Sequence, residues 1–153
     1  MWRAAFAVLM LTAPACAAKP VLKEANRAMQ IKFTRSGGFA GAATNVSGAL
    51  QWTAGGVHVT SEGSAYRRDL PPSEARQLEA AANPSALTRA QRDASSALAA
   101  SDAFQYDITV ITRDGKSHPF TFSGVAAPSE GSLLAWVEQE AQKIWMFRVN
   151  ARK

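Results

Sequence analysis

Met29-Gln-Ile-Lys-Phe-Thr-Arg-Ser-Gly-Gly-Phe-Ala-Gly41 is the stretch whose reading decides the fold. Met29, Ile31 and Phe33 alternate with Gln30, Lys32 and Thr34, the period of two that marks a strand with one buried face. That predicts a first strand over 28–35. The alternation stops at Arg35-Ser36-Gly37-Gly38, and a lone Phe39 follows among small residues. Glycine reaches positive φ and close backbone approaches cheaply, so a bulge or tight turn is expected there. Phe39 either folds back onto the core or projects outward to fill a partner's pocket.

Outward from this stretch, Thr44–Thr53 and Gly56–Ser61 read as two more extended runs joined at Ala54-Gly55-Gly56. Val46, Ala49, Leu50 and Trp52 alternate less regularly, which leaves the start of the second strand open. Leu70-Pro71-Pro72-Ser73 opens a helix, because proline is tolerated in a first turn. Ser73 or Asp69 is the expected cap, and Asn83-Pro84 stops the helix. Ser85–Ser101, rich in Ala and Ser, reads as a weak helix or a loose loop. Phe104–Thr112 alternates cleanly, Asp114-Gly115 predicts a type I′ turn, and Lys116–Phe122 returns as a strand. Pro119 in that return places it at a sheet edge or facing out of the ladder. Ser129 or Ser132 caps a last helix with Glu130 in its first turn. The apolar face of that helix is Leu133, Trp136, Val137, Ala141 and Ile144, in phase with Glu140. Trp145, Met146, Phe147 and Val149 run on past this face, either packed on the sheet or exposed as a sticky patch. Hairpins outnumber any βαβ unit. The reading is an α+β fold, an antiparallel sheet of four or five strands with two helices packed on one face.

The chain has 153 residues, 47% of them hydrophobic, which suffices for one domain with a real core. Met1-Trp2-Arg3, the apolar run Ala4–Thr12 and the small residues Ala13–Ala17 read as a signal peptide over 1–17. A lipidated Cys16 is disfavoured, because no large aliphatic residue stands three places before it. The expected organisation is then a linker over 18–27, one domain over 28–147 and a basic tail over 148–153. Cleavage after Ala17 removes Arg3 and leaves 16 basic residues against 12 acidic, a net charge of +4. It also removes the only Cys, so stability must come from packing. Arg148, Arg152 and Lys153 read as a frayed basic end rather than a nucleic-acid site.

Arg35-Ser-Gly-Gly-Phe-Ala-Gly41 after a first strand resembles the emfourin family, small protein inhibitors of protealysin-like, thermolysin-type zinc metalloproteases. Leu70-Pro-Pro-Ser-Glu-Ala-Arg-Gln-Leu78 is similar to the family's proline-started helix. Ala103-Phe-Gln-Tyr-Asp-Ile-Thr-Val110 with Asp114-Gly115 is similar to its tyrosine-bearing strand and hairpin. Ser132-Leu-Leu-Ala-Trp-Val137 is similar to its closing helix. The four pieces span roughly 29–140 in the same order. The resemblance implies a secreted or periplasmic monomer that occludes the cleft of a thermolysin-type metalloprotease without being cut. Arg35, Ser36, Gly37, Gly38, Phe39, Ala40 and Gly41 would touch the enzyme, with Phe39 suited to an apolar specificity pocket. The export signal and the Ala/Ser-rich segment depart from the family's pattern.

Other chemistries find little footing. His58 and His118 stand in different strands and read as surface residues, and no paired metal-ligand spacing is present. No Gly-x-Ser-x-Gly elbow occurs, and no Lys-Ser/Thr follows the glycines to make a phosphate loop. The reading is therefore not an enzyme, with no cofactor, no metal, no nucleic acid and no membrane insertion once the signal is removed. Glu62, Glu74 and Glu79 read as solvated. Tyr106, Trp52 and Trp136 read as core. The Asp114-Gly115 and Ala54–Gly56 turns would join the contact only if they lay beside the Gly-rich loop. The rival reading is an envelope adaptor that binds through Trp145–Val149 and the basic end.

Overall fold

A computed structural model of the chain describes residues 29–38, 44–94, 103–123 and 131–152. The signal-peptide and linker expectations therefore lie outside the described residues. Six strands appear: β1 (Gln30–Gly37), β2 (Val46–Thr53), β3 (Gly56–Ser61), β4 (Arg67–Asp69), β5 (Phe104–Ile111) and β6 (Ser117–Ser123). Three helices accompany them: α1 (Pro72–Ala81), α2 (Pro84–Ala94) and α3 (Leu133–Asn150). The strands form one antiparallel sheet in the order β4-β3-β2-β1-β5-β6. The α+β class stands, with six strands where four or five were expected and three helices where two were expected.

Each surplus element has a local reason. Arg67-Arg68-Asp69 is too short and too polar to show a period. It becomes β4 because Val59 and His58 of β3 supply the ladder, and Leu70 N donates to Val57 O at 2.8 Å. Asn83-Pro84 ends α1 and also starts α2, since Asn83 Oδ1 accepts the backbone N–H groups of Ser85 at 2.9 Å and Ala86 at 3.4 Å. The Ser85–Ser101 segment is thus helical through Ala94, and its remainder lies outside the described residues.

β1 is the centre of the sheet, and its alternation decides which face is dry. Ile31 is flanked by Leu50 and Val110, and Phe33 by Gly48 and Ile108. Val46, Val59, Tyr106, Phe120 and Phe122 extend the same face, and Leu78, Leu87, Leu133, Val137 and Ile144 from the three helices join the same cluster. The other face carries Lys32, Thr34, Ser47, Asp107 and Thr121, with Thr34–Ser47 and Thr121–Asp107 hydrogen bonds across strands. One solvated face is what an antiparallel sheet permits. Gly48 leaves room for Phe33, since a Cβ there would sit 2.5 Å from the ring's Cζ. The freed ring meets Trp136 edge-on at 6.0 Å.

Three turn and cap details differ from expectation. Asp114 does not have positive φ; only Gly115 does, at 82°. Gly115 N donates to Thr112 O at 2.8 Å and Thr112 N to Lys116 O at 3.0 Å, so the connection is a three-residue loop ending in a left-handed glycine, not a type I′ turn. The Thr112 hydroxyl, donating to Asp114, and then Lys116 hold the Asp114 carboxyl down to about 2. Pro71 stands at the start of α1 without a side-chain cap. Asp69 is paired in β4 and Ser73 is already inside the helix, so neither expected cap is placed to serve. Ser132 does cap α3, accepting from Ala135 N at 3.1 Å, and the helix begins after Glu130. Pro119 lies on β6, the sheet's edge, as its missing donor required.

One charged cluster joins β4 to two helices beneath the sheet. Glu140 is 0% exposed. It accepts from Tyr66 Oη at 2.7 Å, Arg68 Nε at 3.1 Å, Arg68 Nη2 at 2.7 Å and Lys143 Nζ at 3.2 Å. Arg68 also donates to both oxygens of Glu74, at 3.1 and 2.9 Å, and Trp136 Nε1 donates to Glu74 at 2.7 Å. Glu74 is therefore not a solvated helix residue. Burial alone would raise the Glu140 carboxyl, but the hydrogen bonds from Arg68 and Tyr66 outweigh it and hold it below the usual range. Arg68 likewise lowers Glu74. Burial, then the bond to Glu140, pushes the Tyr66 phenol up to about 12.

Two outcomes follow. Glu140→Ala should cost about 1–3 kcal/mol in a denaturant titration, because it removes the acceptor of the Tyr66 hydroxyl and one of the two carboxylates that hold half-buried Arg68. For the depressed carboxylates, the stabilisation is present above the unfolded value of about 4.3 and is lost as pH falls through their lower folded values. For the raised phenol, it is present below about 10 and is lost as pH climbs toward about 12. A denaturant series across pH checks both limbs, and Tyr66→Phe should flatten the alkaline one.

Candidate functional site

The antiparallel register sorts the turns onto two ends of the sheet. The end of β1 lies beside the starts of β2 and β5, and the start of β2 faces the end of β3. The β1–β2 connection and the β3–β4 turn, Glu62–Ala65, thus share one rim. The Ala54-Gly55 and Asp114-Gly115 turns lie at the opposite end and cannot join a contact made there.

At this rim the glycines behave as their positions demand. Gly37 and Gly38 have φ of 83° and 77°. A Cβ on Gly38 would stand 2.4 Å from Phe104 Cε1, so the backbone crosses the aromatic ring closely. Thr44 Oγ1 donates to Gly37 O at 2.8 Å, closing the connection at its base. Ser36 is half-buried opposite Gln105. Phe39, Ala40 and Gly41 lie outside the described residues.

Arg35 is 3% exposed and lies under the connection rather than at its surface. It falls in the inward phase of β1, between Val46 and Tyr106. Its guanidinium lies 4.6 Å from the centroid of the Phe104 ring, a cation–π contact. Nη2 donates to Thr44 O at 3.3 Å and Nη1 to Gln142 Oε1 of α3 at 3.4 Å, while Nε has no partner among the described residues. Burial lowers its pKa, opposed by Tyr106 and Glu138. Arg35 therefore acts on the connection from below.

A second arginine ties α3 to the rim. Arg148 Nη1 donates to Asn45 O at 2.9 Å, and Nη2 donates to Glu62 O at 2.6 Å and Ser61 Oγ at 3.2 Å. The expected basic tail is corrected here: α3 runs through Asn150, and Arg148 is a strut inside it. Trp145 packs against the core and Phe147 meets Tyr66 edge-on at 5.5 Å. Met146 and Phe147 are 44% and 40% exposed. An open groove of about 510 Å³ lies here, lined by Gly63, Ser64, Ala65, Phe147, Arg148, Ala151 and Arg152.

Among the described residues no three His, Cys, Asp or Glu side chains gather to hold a metal ion. No described helix is long and apolar enough to cross a membrane. His58 and His118 are half-buried in β3 and β6, which three other strands separate in the sheet. The site offers backbone, small residues, an apolar pair and cations, which suit binding.

The Emfourin family model matches residues 53–138, a little over half of the chain. The chain belongs to the emfourin family, a family of metalloprotease inhibitors. The matched span runs from the β2–β3 turn into α3, and the Arg35–Gly41 stretch precedes it. No curated protein and no solved structure matches the chain.

The residues that sequence reasoning missed are Arg148, Gln142, Phe104 and Thr44, which brace the rim. Only Arg35 carried a usable signal, a cation in an inward strand phase. Gly38→Ala should destabilise the fold by about 1–2 kcal/mol from the left-handed backbone alone, with the ring clash adding to it. Gly55→Ala, where a Cβ would meet Thr53 Oγ1 at an ordinary 3.9 Å and φ is not positive, should stay within about 1 kcal/mol of the parent. Paired thermal melts distinguish the two.

Proposed function

We propose that this protein is an exported inhibitor, secreted or periplasmic, of a protealysin-like, thermolysin-type zinc metalloprotease. The connection after β1 enters the active-site cleft. The observation that carries the reading is the braced base of that connection. Gly37 and Gly38 are held in left-handed backbone against Phe104, and Thr44 and Arg35 close the return. Ends fixed before binding lower the entropy lost on docking, which favours tight binding and slow release. A narrow backbone with little side-chain bulk suits a cleft. Family membership supports the inhibitor class; the braced geometry supports the choice of loop.

In this reading Ser36, Gly37, Gly38, Phe39, Ala40 and Gly41 meet the enzyme, Phe39 fills an apolar pocket beside the scissile position, and Arg35 supports them. The inhibitor works as a monomer, needs no cofactor, and is cleaved from its signal near Ala17. The adaptor alternative loses Trp145, which is packed on the core, and the free tail, since Arg148 is engaged in the fold, but it keeps the exposed Met146 and Phe147.

The mature chain, starting at Ala18, should inhibit a thermolysin-type protease and keep its intact mass through the assay. Phe39→Ala should fold as the parent does and weaken inhibition about tenfold or more, the loss of one buried aromatic anchor. A well-folded chain that inhibits none of several such enzymes overturns the reading, as does undiminished inhibition by the folded Phe39→Ala variant.

A further inference from the structure

We infer that the groove between the β3–β4 turn and the C-terminal end of α3 is a second docking surface for the same protease, taking an apolar side chain flanked by carboxylates. This rests on the inhibitor reading and deepens it.

Area makes the first case. A stable protein interface buries about 800 Å² on each partner, drawn from about 20–30 residues. One short connection cannot supply that. The remainder must come from neighbours on the same rim, and the Ala54-Gly55 and Asp114-Gly115 turns are at the other end of the sheet. The Glu62–Ala65 turn and the end of α3 are at the right end. Arg148 physically joins them to the return of the β1–β2 connection, through Asn45 O on one side and Glu62 O on the other. A body docking onto the connection therefore meets this groove as part of the same rigid surface.

The lining makes the second case. Met146 and Phe147 are the two exposed large apolar side chains among the described residues, and they are adjacent on α3. Phe147 borders the groove, and Gly63, Ser64 and Ala65 form a low wall facing it. The space of about 510 Å³ admits a large side chain.

Charge selects the occupant. The Nη atoms of Arg148 donate to two backbone carbonyls and a hydroxyl, all neutral, so among the described residues its charge is in no ion pair with a carboxylate. Arg152, also on the lining, is in no ion pair among the described residues. Glu62 is the turn's single acid. Two cations around an apolar floor favour an acidic, apolar-tipped surface segment of the protease, and they speed its approach at low salt.

The test uses the mature chain and two variants, Ala65→Trp and Arg152→Glu, at exposed positions outside the rim's hydrogen bonds. Binding to an immobilised thermolysin-type protease is followed at low salt and at about 1 M salt, where charges beyond about 3 Å are screened. The Ala65→Trp variant, with its melting point kept, should bind about tenfold more weakly, chiefly through faster dissociation. The Arg152→Glu variant should associate several-fold more slowly at low salt and match the parent at high salt. Parent binding with both variants unchanged overturns the second surface and leaves the loop reading intact. A parent that binds no such protease overturns both. Self-association of the parent that Ala65→Trp abolishes, seen by sedimentation, would assign the groove to a second copy and overturn the inference.

Discussion

A carboxylate with no exposure to water governs how this chain closes. Glu140 sits on the apolar stripe of α3, between Val137 and Ile144, where water cannot solvate it. A buried charge of this kind is tolerable only when it is paired and hydrogen-bonded. Here the compensation comes from elements far apart in sequence: Tyr66 and Arg68 at β4, and Lys143 one turn along. Arg68 then carries the constraint on to Glu74 of α1, which Trp136 also holds. The helices cannot slide independently over the sheet without stranding a charge. What such a cluster gives is a single register of α3 on the sheet, beyond what apolar packing specifies.

That register is what the functional rim depends on. With α3 fixed at its middle by Glu140, Gln142 is presented to Arg35 and Arg148 reaches Asn45, Ser61 and Glu62. Two arginines thus brace the β1–β2 connection, one from beneath and one from the side. The glycines at its root supply the left-handed backbone that lets the chain pass over Phe104. The proposed function links stability and binding by geometry: the interior sets α3, α3 sets the rim, and the rim holds the root of the connection proposed to meet a protease.

Much of the fold was legible because it rests on period and punctuation. The alternation through Met29, Ile31 and Phe33, the Phe104–Val110 strand and the proline-started α1 all stand where their patterns put them. The glycine pair after β1 was legible for the same local reason. What was not legible depended on partners. β4 is three polar residues that become a strand only because β3 is there. Glu74 looked solvated because its partner Arg68 contacts it through tertiary packing. Arg148 looked like a loose tail because nothing local says that Asn45 and Glu62 carbonyls wait for it. The charges in the wrong phase were the available signal: Arg35 in an inward strand position and Glu140 in an apolar helix stripe each announce a buried partner without saying which. The Asp114-Gly115 turn failed on a finer point, since the same dipeptide suits a two-residue or a three-residue loop and only the register tells them apart.

The central claim is that one end of the sheet, braced by α3, is the surface that meets a metalloprotease. Hydrogen exchange of the mature chain, free and with an equimolar thermolysin-type protease, tests it most directly. The account predicts slowed exchange over 36–45 and 62–65, with Ala54-Gly55 and Asp114-Gly115 exchanging as in the free chain. Slowed exchange at those two turns, with 36–45 unchanged, would contradict it.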